Sequence, residues 1–268
     1  MSAEILARDT IQASFRRLDP ARHPLLETMS RDAMYDRGRV MAPGGLLLAH
    51  RMAEALRLVP GGQVLDLGCG RGQSSTLLAS AHAVHVAAVD LWIAPEERAG
   101  AAGLAGQVRH VRADVRRGLP FASGSFDAVF SMQAFHTFGT SPAMIRYLAT
   151  LLKPGGRLCI AQTCFDAEVN PLPDVFSETD GWDAGYRTYH SPGWWQDHVA
   201  HGGAFRVDTC EELCDGDVLW EDDVLYRGDR DGWSDGYLSR FAWLLRHLLH
   251  GRTGRPRLTH FMLTATAI

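Results

Sequence analysis

The chain has 268 residues, of which 46% are hydrophobic, and its formal net charge at pH 7 is −4. This length and composition can supply one globular domain with a sizeable hydrophobic core. Acidic and basic residues are interspersed, which disfavours nucleic acid as a partner because phosphate binding draws on a basic surface. There is no run of about 18 apolar residues and no secretory signal pattern, so we expect neither a membrane span nor secretion.

The five cysteines predict a reducing environment rather than a disulfide framework or a zinc site. Their number is small and odd, and no two of them have the CxxC spacing of zinc ligands. They are Cys69, Cys159, Cys164, Cys210 and Cys214. We therefore expect a cytoplasmic protein with no bound metal.

Strands and helices alternate in the middle of the chain, which is typical of a mostly parallel sheet covered by helices on both faces. Residues 1–58 precede this region and are predicted to form a helical cap, with a break at Pro43-Gly44-Gly45. The predicted strands are Gln63–Gly68, His85–Trp92, Val108–Val115, Phe126–Met132 and Arg157–Thr163. The predicted helices are Leu46–Leu58, Gln73–Ala81, Pro95–Ala105 and Ser141–Leu152.

After the fifth predicted strand the alternating pattern is lost. Residues 164–203 are predicted to be an inserted lid that ends in a helix, which begins at Ser191-Pro192 and runs to about Ala200. Residues 204–268 are predicted to hold two strands, Phe205–Leu213 and Leu258–Ala267, with an amphipathic helix, Tyr237–His250, between them. No linker divides the chain, so we expect a single domain over residues 1–268.

A glycine-rich loop follows the first predicted strand, where Val64-Leu65-Asp66-Leu67 leads into Gly68-Cys69-Gly70-Arg71-Gly72. Glycines allow the backbone to approach a ligand closely at the positive end of the helix that follows. Dinucleotide-binding folds space these glycines as GxGxxG to hold a pyrophosphate, whereas the spacing here is GxGxG. Asp66 precedes the loop, where a carboxylate can either bind a ligand ammonium group or orient the loop.

Two further acids end the next two predicted strands, at the same edge of the sheet. Asp90 can accept hydrogen bonds from two ribose hydroxyls, and Leu91 and Trp92 beside it can cover an adenine ring. Asp114 can accept a hydrogen bond from the adenine amino group, with Val115 alongside. The three strand-end acids together predict one crevice for a nucleoside that carries an ammonium group.

These segments occur in the order and at the spacing of a known family. VLDLGCGRG, AVDLW, RADV, FDAVFS and LLKPGGRL resemble the successive signature segments of class I S-adenosylmethionine-dependent methyltransferases over about residues 60–163. The resemblance implies a Rossmann-like, doubly wound α/β sheet of seven mostly parallel strands in the order 3-2-1-4-5-7-6, with strand 7 antiparallel. It also implies that residues 59–163 form the cofactor-binding core and that residues 164–203 help to bind the acceptor.

The same resemblance implies S-adenosylmethionine as the cofactor and S-adenosylhomocysteine as the product. Its binding residues would be the loop residues and the strand-end acids with their neighbours: Asp66, Gly68, Cys69, Gly70, Gly72, Asp90, Leu91, Trp92, Asp114 and Val115. The main chain at Met132 and Gln133 would flank the reactive sulfonium. MAPGGLLLAHRMAEAL and YHSPGWWQDHV more loosely resemble a bacterial subgroup related to cyclopropane-fatty-acid synthases, which implies that Gly44, Gly45 and Tyr35 close over the methionine end of the cofactor.

Methyl transfer is an in-line displacement, so positioning the acceptor supplies much of the rate, and a base matters only when the acceptor must lose a proton. His136 follows the fourth predicted strand at the mouth of the crevice, and an imidazole suits proton removal near neutral pH. His190 is the second candidate base. A histidine base favours O- or N-methylation of a small molecule. We expect no nucleic-acid or membrane partner, and a homodimer is compatible with the sequence.

Three other interpretations stay open at this point. The first is a C-methyltransferase or a cyclopropane-synthase-like enzyme. The second is a nicotinamide-dependent oxidoreductase, because such enzymes also place glycines between the first strand and the first helix. The third is a non-catalytic protein that binds the cofactor.

Overall fold

The computed structural model describes residues 12–36, 39–40, 42–97, 104, 106–171, 187–231 and 256–268. The strands are β1 (Gln63–Leu67), β2 (His85–Asp90), β3 (Val108–Arg112), β4 (Phe126–Met132), β5 (Leu152–Phe165), β6 (Phe205–Glu212) and β7 (Leu258–Ala267). The helices are α1 (Leu25–Thr28), α2 (Arg31–Met34), α3 (Gly45–Leu56), α4 (Gln73–His82), α5 (Pro142–Leu151), α6 (Pro192–Ala200) and α7 (Gly216–Asp231).

The strands form one sheet in the order β3-β2-β1-β4-β5-β7-β6. Neighbouring strands from β3 to β5 are parallel, whereas β7 is antiparallel to both β5 and β6. On the central strand β1, Leu65 pairs with Ala87 of β2 and with Val129 of β4. The predicted strand order and the antiparallel seventh strand are confirmed.

Helices cover both faces of the sheet, which explains why the central strands β1 and β4 are buried along nearly their whole length. On one face Ile145 of α5 and Trp195 of α6 are fully buried in the same cluster as Ile160 of β5. On the other face Leu48 and Met52 of α3 are fully buried. Each such side chain contributes about 1.5–3 kcal/mol to folding, so these two layers hold the sheet and its carboxyl edge in place.

Several predicted boundaries differ from the observed ones. β2 ends at Asp90 and β3 ends at Arg112, so the chain has left the sheet when it reaches Asp114. β5 begins at Leu152 and not at Arg157, because the chain continues as a strand through a register shift opposite β4. At its other end β5 includes Cys164 and Phe165, the first two residues of the predicted insertion.

α7 has no counterpart among the predicted helices. Three consecutive acids, Glu221-Asp222-Asp223, interrupt the apolar pattern that would have indicated a buried helix, yet all three are buried. The predicted helix Tyr237–His250 lies outside the described residues. Of the predicted helix Pro95–Ala105, a 3-10 turn at Pro95–Glu97 is described, and residues 98–103 and 105 are not. None of the described helices has the length and apolar character needed to cross a lipid bilayer.

Candidate active site

The glycine loop turns sharply between β1 and α4. Gly68, Gly70 and Gly72 have φ values of 73°, 53° and 84°, a region that favours glycine. A Cβ atom on Gly68 would lie 2.2 Å from the Cβ of Ala134, because the loop presses against the segment that follows β4. A Cβ atom on Gly72 would lie 2.8 Å from the His110 ring. Positive φ values at all three glycines, and the close approach of the loop to its neighbours at Gly68 and Gly72, therefore account for the GxGxG spacing.

Asp66 fastens the start of α4 to β1. Its Oδ2 atom accepts hydrogen bonds from the hydroxyls of Ser74 at 2.7 Å and Ser75 at 2.6 Å, and the residue is only 1% exposed. Asp66 does not line the cavity at the carboxyl ends of the strands. Of the two roles that the sequence allows for this carboxylate, its contacts therefore support orientation of the loop.

Asp90 joins two loops at the edge of the sheet. Its Oδ2 atom accepts a hydrogen bond from the Gly70 amide at 2.9 Å, and its Oδ1 atom accepts from the amides of Trp92 at 2.8 Å and Ile93 at 3.0 Å. One carboxylate thus sets the relative position of the glycine loop and the segment after β2. Hydrogen bonds from backbone amides to a carboxylate are among the stronger ones in proteins.

Asp114 begins a 3-10 turn after β3 and carries a paired carboxylate. The Arg116 side chain donates to its Oδ1 at 2.9 Å and to its Oδ2 at 3.0 Å, and the Arg116 amide donates to Oδ1 at 3.0 Å. The hydrogen bonds from Arg116 lower the pKa of the Asp114 carboxyl below its ordinary value. Asp114 is therefore held as a carboxylate, the form that accepts hydrogen bonds.

A cavity of about 250 Å³ lies where β1, β2, β3 and β4 end. It brings together most of the predicted binding residues, namely Gly68, Cys69, Gly70, Asp90, Leu91, Trp92, Asp114, Val115, Met132 and Gln133. Ligands of open α/β sheets bind in such a crevice at the carboxyl ends of the strands. Gly72 is absent from the lining, although its neighbours Arg71 and Gln73 are part of it.

Other residues that line the cavity were not predicted from the sequence. Arg39, Val40 and Ala42 reach the cavity from the N-terminal segment. Ala42 lies in the MAPGGLLLAHRMAEAL motif and Arg39 and Val40 come just before it, so their position beside that motif was the available signal. Arg71 and Gln73 flank the last glycine of the loop, so their position beside the motif was a usable signal. The remaining ones are Leu67, Ser74, Val89, Ile93, Ala113, Arg116, Ala134, Thr137 and Phe138.

The residues expected to close over the methionine end lie elsewhere. Tyr35 is 1% exposed, its hydroxyl donates to Asp222 Oδ2 at 3.1 Å, and its ring stacks on Tyr226 at 4.5 Å. Gly44 and Gly45 do not line the cavity either. A Cβ atom on Gly44 would lie 3.0 Å from the Leu219 side chain, and one on Gly45 would lie 2.5 Å from a backbone oxygen of α2. Packing between α2, α3 and α7 accounts for both glycines.

Neither of the two candidate bases lines the cavity. His136 is in a 3-10 turn after β4, where its amide donates to Gln162 Oε1 at 2.8 Å and its ring meets the edge of Tyr189 at 4.9 Å. His190 precedes α6, with Nδ1 2.7 Å from Glu168 Oε1 and its ring stacked 3.7 Å from Trp194. The ring contact with Tyr189 brings His136 next to the segment that carries His190.

Gln133 has an unusual conformation at the end of β4. Its φ of 55° is rare for a residue with a side chain and is common at functional sites. Its amide donates to Ala161 at 2.8 Å, and its side-chain Oε1 accepts from the Thr163 amide at 2.9 Å. These bonds fix the backbone that lines the cavity opposite the glycine loop.

The sheet order, the glycine loop and the cavity at the carboxyl edge define a Rossmann-like methyltransferase fold of class I. Residues 65–160 match the sequence profile of the family described as "Methyltransferase domain". Over this part of the chain, the predicted resemblance to class I S-adenosylmethionine-dependent methyltransferases is confirmed.

Relatives with different acceptors share this domain. O-methyltransferase resE of Aspergillus sclerotiorum is 33% identical over 121 residues, which are 44% of this chain and 45% of that protein. The chain spans about half the length of the curated relatives it matches. Haemonchus contortus phosphoethanolamine N-methyltransferase 2, solved with phosphomonomethylethanolamine and S-adenosylhomocysteine, superposes with a TM-score of 0.68 at 18% identity over 90% of this chain and 61% of that one.

Another solved structure with this fold is that of a C-methyltransferase. The geranyl diphosphate C-methyltransferase of Streptomyces coelicolor, solved with Mg²⁺, geranyl diphosphate and S-adenosylhomocysteine, has a TM-score of 0.63 at 17% identity over 84% of this chain and 79% of that one. At these identities the structural likeness defines the fold. Within the described ranges, no group of three His, Cys, Asp or Glu side chains is arranged to hold a metal ion.

Proposed function

We propose that this chain is an enzyme that transfers the methyl group of S-adenosylmethionine to a small-molecule acceptor and releases S-adenosylhomocysteine. The observation that carries the proposal is one cavity that combines the GxGxG loop with Asp90, at the end of β2, and Asp114, in the turn after β3. The O-, N- and C-methyltransferases among the relatives support methyl transfer as the reaction class.

The cavity residues fit this cofactor chemically. Asp90 and Asp114 present carboxylate oxygens that suit ribose hydroxyls and the adenine amino group. The Trp92 ring is 70% exposed at the cavity rim, where it can cover the adenine. When bound, the cofactor supplies a methyl group that its sulfonium already activates. The protein's own task is then to hold the acceptor in line with that methyl group and to exclude water.

We further propose that His136 takes the proton from a protic acceptor, with His190 as the second candidate. His136 directly precedes Thr137 and Phe138, which line the cavity, and the bond from its amide to Gln162 fixes the turn that carries it. His190 has a carboxylate partner in Glu168, an arrangement that orients an imidazole for proton transfer. A histidine base favours O- or N-methylation over C-methylation.

A reducing, cytoplasmic setting belongs to the same proposal. All five cysteines are free thiols, which suits a reducing compartment. Besides the cofactor, the proposed partner is a small molecule, and neither nucleic acid nor a membrane has a role. A homodimer stays a prediction from the sequence.

Isothermal titration tests the proposal directly. The purified protein is titrated with S-adenosylmethionine, S-adenosylhomocysteine, NAD and NADP. Binding of the first two alone is the expected result, and a panel of phenols, alcohols and amines with methyl-labelled S-adenosylmethionine then identifies the acceptor class. Binding of a nicotinamide nucleotide in place of S-adenosylmethionine would overturn the proposal in favour of an oxidoreductase. Cofactor binding with no transfer to any acceptor would indicate a non-catalytic protein.

A further inference from the structure

The side chain of Gln133 has a fixed orientation at the end of β4. Its Oε1 atom accepts hydrogen bonds from the Thr163 amide at 2.9 Å and from the Thr163 hydroxyl at 3.1 Å. A backbone N–H can only donate, so the oxygen of the Gln133 amide faces Thr163 and its NH₂ group points away. Thr163 is fully buried in β5, with its hydroxyl 3.3 Å from His260 Nε2. The packed sheet therefore decides which end of the Gln133 amide faces away from β5.

The NH₂ group of Gln133 has no partner within the described part of the protein. Its Nε2 atom is buried with no acceptor in reach, and burying an amide donor in this way is costly. The φ of 55° adds a second cost at the same residue. Gln133 lines the cavity, so a ligand that packs against it can supply the missing acceptor atom. The two costs together mark Gln133 as a residue that contacts a ligand.

Gln133 lies on the side of the cavity away from the acids that suit a nucleoside. The sheet order places β1 between β2, which ends at Asp90, and β4, which leads into Gln133. Neighbouring strands are about 4.8 Å apart, so the ends of β2 and β4 are separated by about 10 Å. A nucleoside held at Asp90 would therefore point its sulfur end towards Gln133. A sulfonium and its methyl group are positively charged and give an N–H donor no lone pair to bind, so the partner of Nε2 is an atom of the methyl acceptor.

The number of lone pairs distinguishes the possible methyl acceptors. A neutral amine nitrogen has one lone pair, which is used when the nitrogen attacks the methyl group. A carbon nucleophile has no further lone pair either. A hydroxyl oxygen has two, so that one can attack while the other accepts a hydrogen bond from an amide NH₂ group. A donor beside the attacking atom therefore favours oxygen over nitrogen and carbon.

We propose that Gln133 is a specificity-determining residue whose Nε2 donates a hydrogen bond to the hydroxyl oxygen that becomes methylated. This inference rests on the proposed function and narrows it to O-methylation of an alcohol, phenol or enol. One lone pair of the oxygen forms the new C–O bond, the electron pair of the breaking C–S bond stays on sulfur, and the hydroxyl proton passes to His136. The Gln133 donor stabilises the negative charge that develops on the oxygen as this proton leaves.

The first test identifies the methylated atom and then removes the donor. With methyl-labelled S-adenosylmethionine and the panel of phenols, alcohols and amines, the labelled product should be a methyl ether. An N-methyl or C-methyl product would overturn the inference. Gln133→Met keeps the length of the side chain without its amide, so it should lower kcat about tenfold or more and leave the affinity for S-adenosylhomocysteine within about twofold. An equal loss of that affinity would show that Gln133 binds the cofactor instead.

A second test needs no methyl acceptor. Gln133→Glu keeps one oxygen towards Thr163 and puts a negatively charged oxygen in place of the NH₂ group. S-adenosylmethionine carries a positive sulfonium that S-adenosylhomocysteine lacks. If Nε2 lies beside the reacting centre, titration calorimetry should show that the variant shifts the ratio of the two affinities about fivefold or more in favour of S-adenosylmethionine. An unchanged ratio would overturn the inference, and this measurement still decides if Gln133→Met does not fold, as judged by thermal melting.

A matched control makes the same changes away from the cavity. Gln63 is exposed at the end of β1 opposite the glycine loop, so Gln63→Met and Gln63→Glu should alter neither turnover nor the affinity ratio. The outcomes separate this inference from the proposed function. If the wild type binds neither S-adenosylmethionine nor S-adenosylhomocysteine, the proposed function itself fails. If it binds both and methylates nitrogen or carbon, methyl transfer stands and the role of Gln133 is wrong.

Discussion

Asp90→Asn tests whether one carboxylate joins the glycine loop to the segment after β2. The substitution keeps the shape of the side chain but replaces one oxygen by an amide group. Since Oδ1 accepts from two amides and Oδ2 from one, the asparagine should keep its oxygen towards Trp92 and Ile93. Its NH₂ group would then face the Gly70 amide, so that two donors oppose each other.

The expected loss follows from that geometry. A buried N–H without an acceptor costs about 1–3 kcal/mol. Because the Gly70 amide is only partly buried, Asp90→Asn should lower the free energy of unfolding by about 1 kcal/mol, the lower end of that range. Asp90→Ala leaves all three amides without this acceptor and should cost about 3 kcal/mol or more. Both variants should also bind S-adenosylhomocysteine several-fold or more weakly, because the glycine loop is displaced and a proposed ribose acceptor is lost.

Urea unfolding and titration calorimetry together measure these effects. Asp197→Asn is the matched control, because Asp197 is exposed on α6 and lies outside the cavity. It should leave both quantities unchanged. If Asp90→Asn keeps the free energy of unfolding within about 0.5 kcal/mol of the wild type, the joining role of Asp90 is wrong. If stability falls while affinity does not, the ribose assignment is wrong.

Four further predictions address the proposed base, the N-terminal segment, the pH dependence of stability and metal ions. His136→Ala should reduce turnover at least tenfold with nearly unchanged affinity for S-adenosylhomocysteine, and full turnover would exclude His136 as the base. Tyr35→Phe removes the hydrogen bond to Asp222 and should cost about 1–2 kcal/mol in urea unfolding without altering cofactor affinity, whereas a cofactor contact would weaken binding. Burial lowers the pKa of His260 to about 4 from an unfolded value of 6.5. As the pH falls, this histidine therefore takes up a proton in the unfolded chain before it does so in the folded protein. Stability should therefore fall by about 3 kcal/mol between pH 6.5 and 4, and His260→Asn should flatten that fall. EDTA should leave turnover unchanged, and a loss restored by Mg²⁺ would contradict the expectation of no metal.

The sequence predicts the centre of the fold because the signals there are local. Val64 to Gly72 combine an apolar strand, a glycine spacing and a helix start within nine residues, and each of these features follows from short-range backbone chemistry. The acids at strand ends are equally readable, since parallel strands bring their carboxyl ends to one edge. The role of Asp66 is harder to predict, because a carboxylate before such a loop suits a ligand and a helix anchor equally well. Only the positions of Ser74 and Ser75 distinguish the two.

The MAPGGLLLAHRMAEAL motif does not by itself predict that Arg39, Val40 and Ala42 form a wall of the cavity, because contacts between distant parts of the chain place this segment. Pro43-Gly44-Gly45, which follows this wall segment, packs between α2 and α7, where Leu219 limits the space at Gly44. Tyr35, which precedes the wall segment, is held by α7 through its stack on Tyr226. Neither contact can be predicted from a short stretch of sequence, because the residues that meet are far apart along the chain.

Ion pairs between residues that are far apart in the sequence hold α7 in place. Arg16 and Arg31 bind Glu221 and Asp222, two fully buried acids, across 205 and 191 residues of sequence. Burial raises the pKa of Asp222, so its negative charge in the folded protein depends on the partners around it. Removing Arg31 alone would leave a buried carboxylate short of a cation, which costs about 3–5 kcal/mol, whereas replacing both partners by apolar residues costs much less. The N-terminal wall of the cofactor cavity is therefore coupled to charges on a helix that a local sequence pattern would assign to the surface.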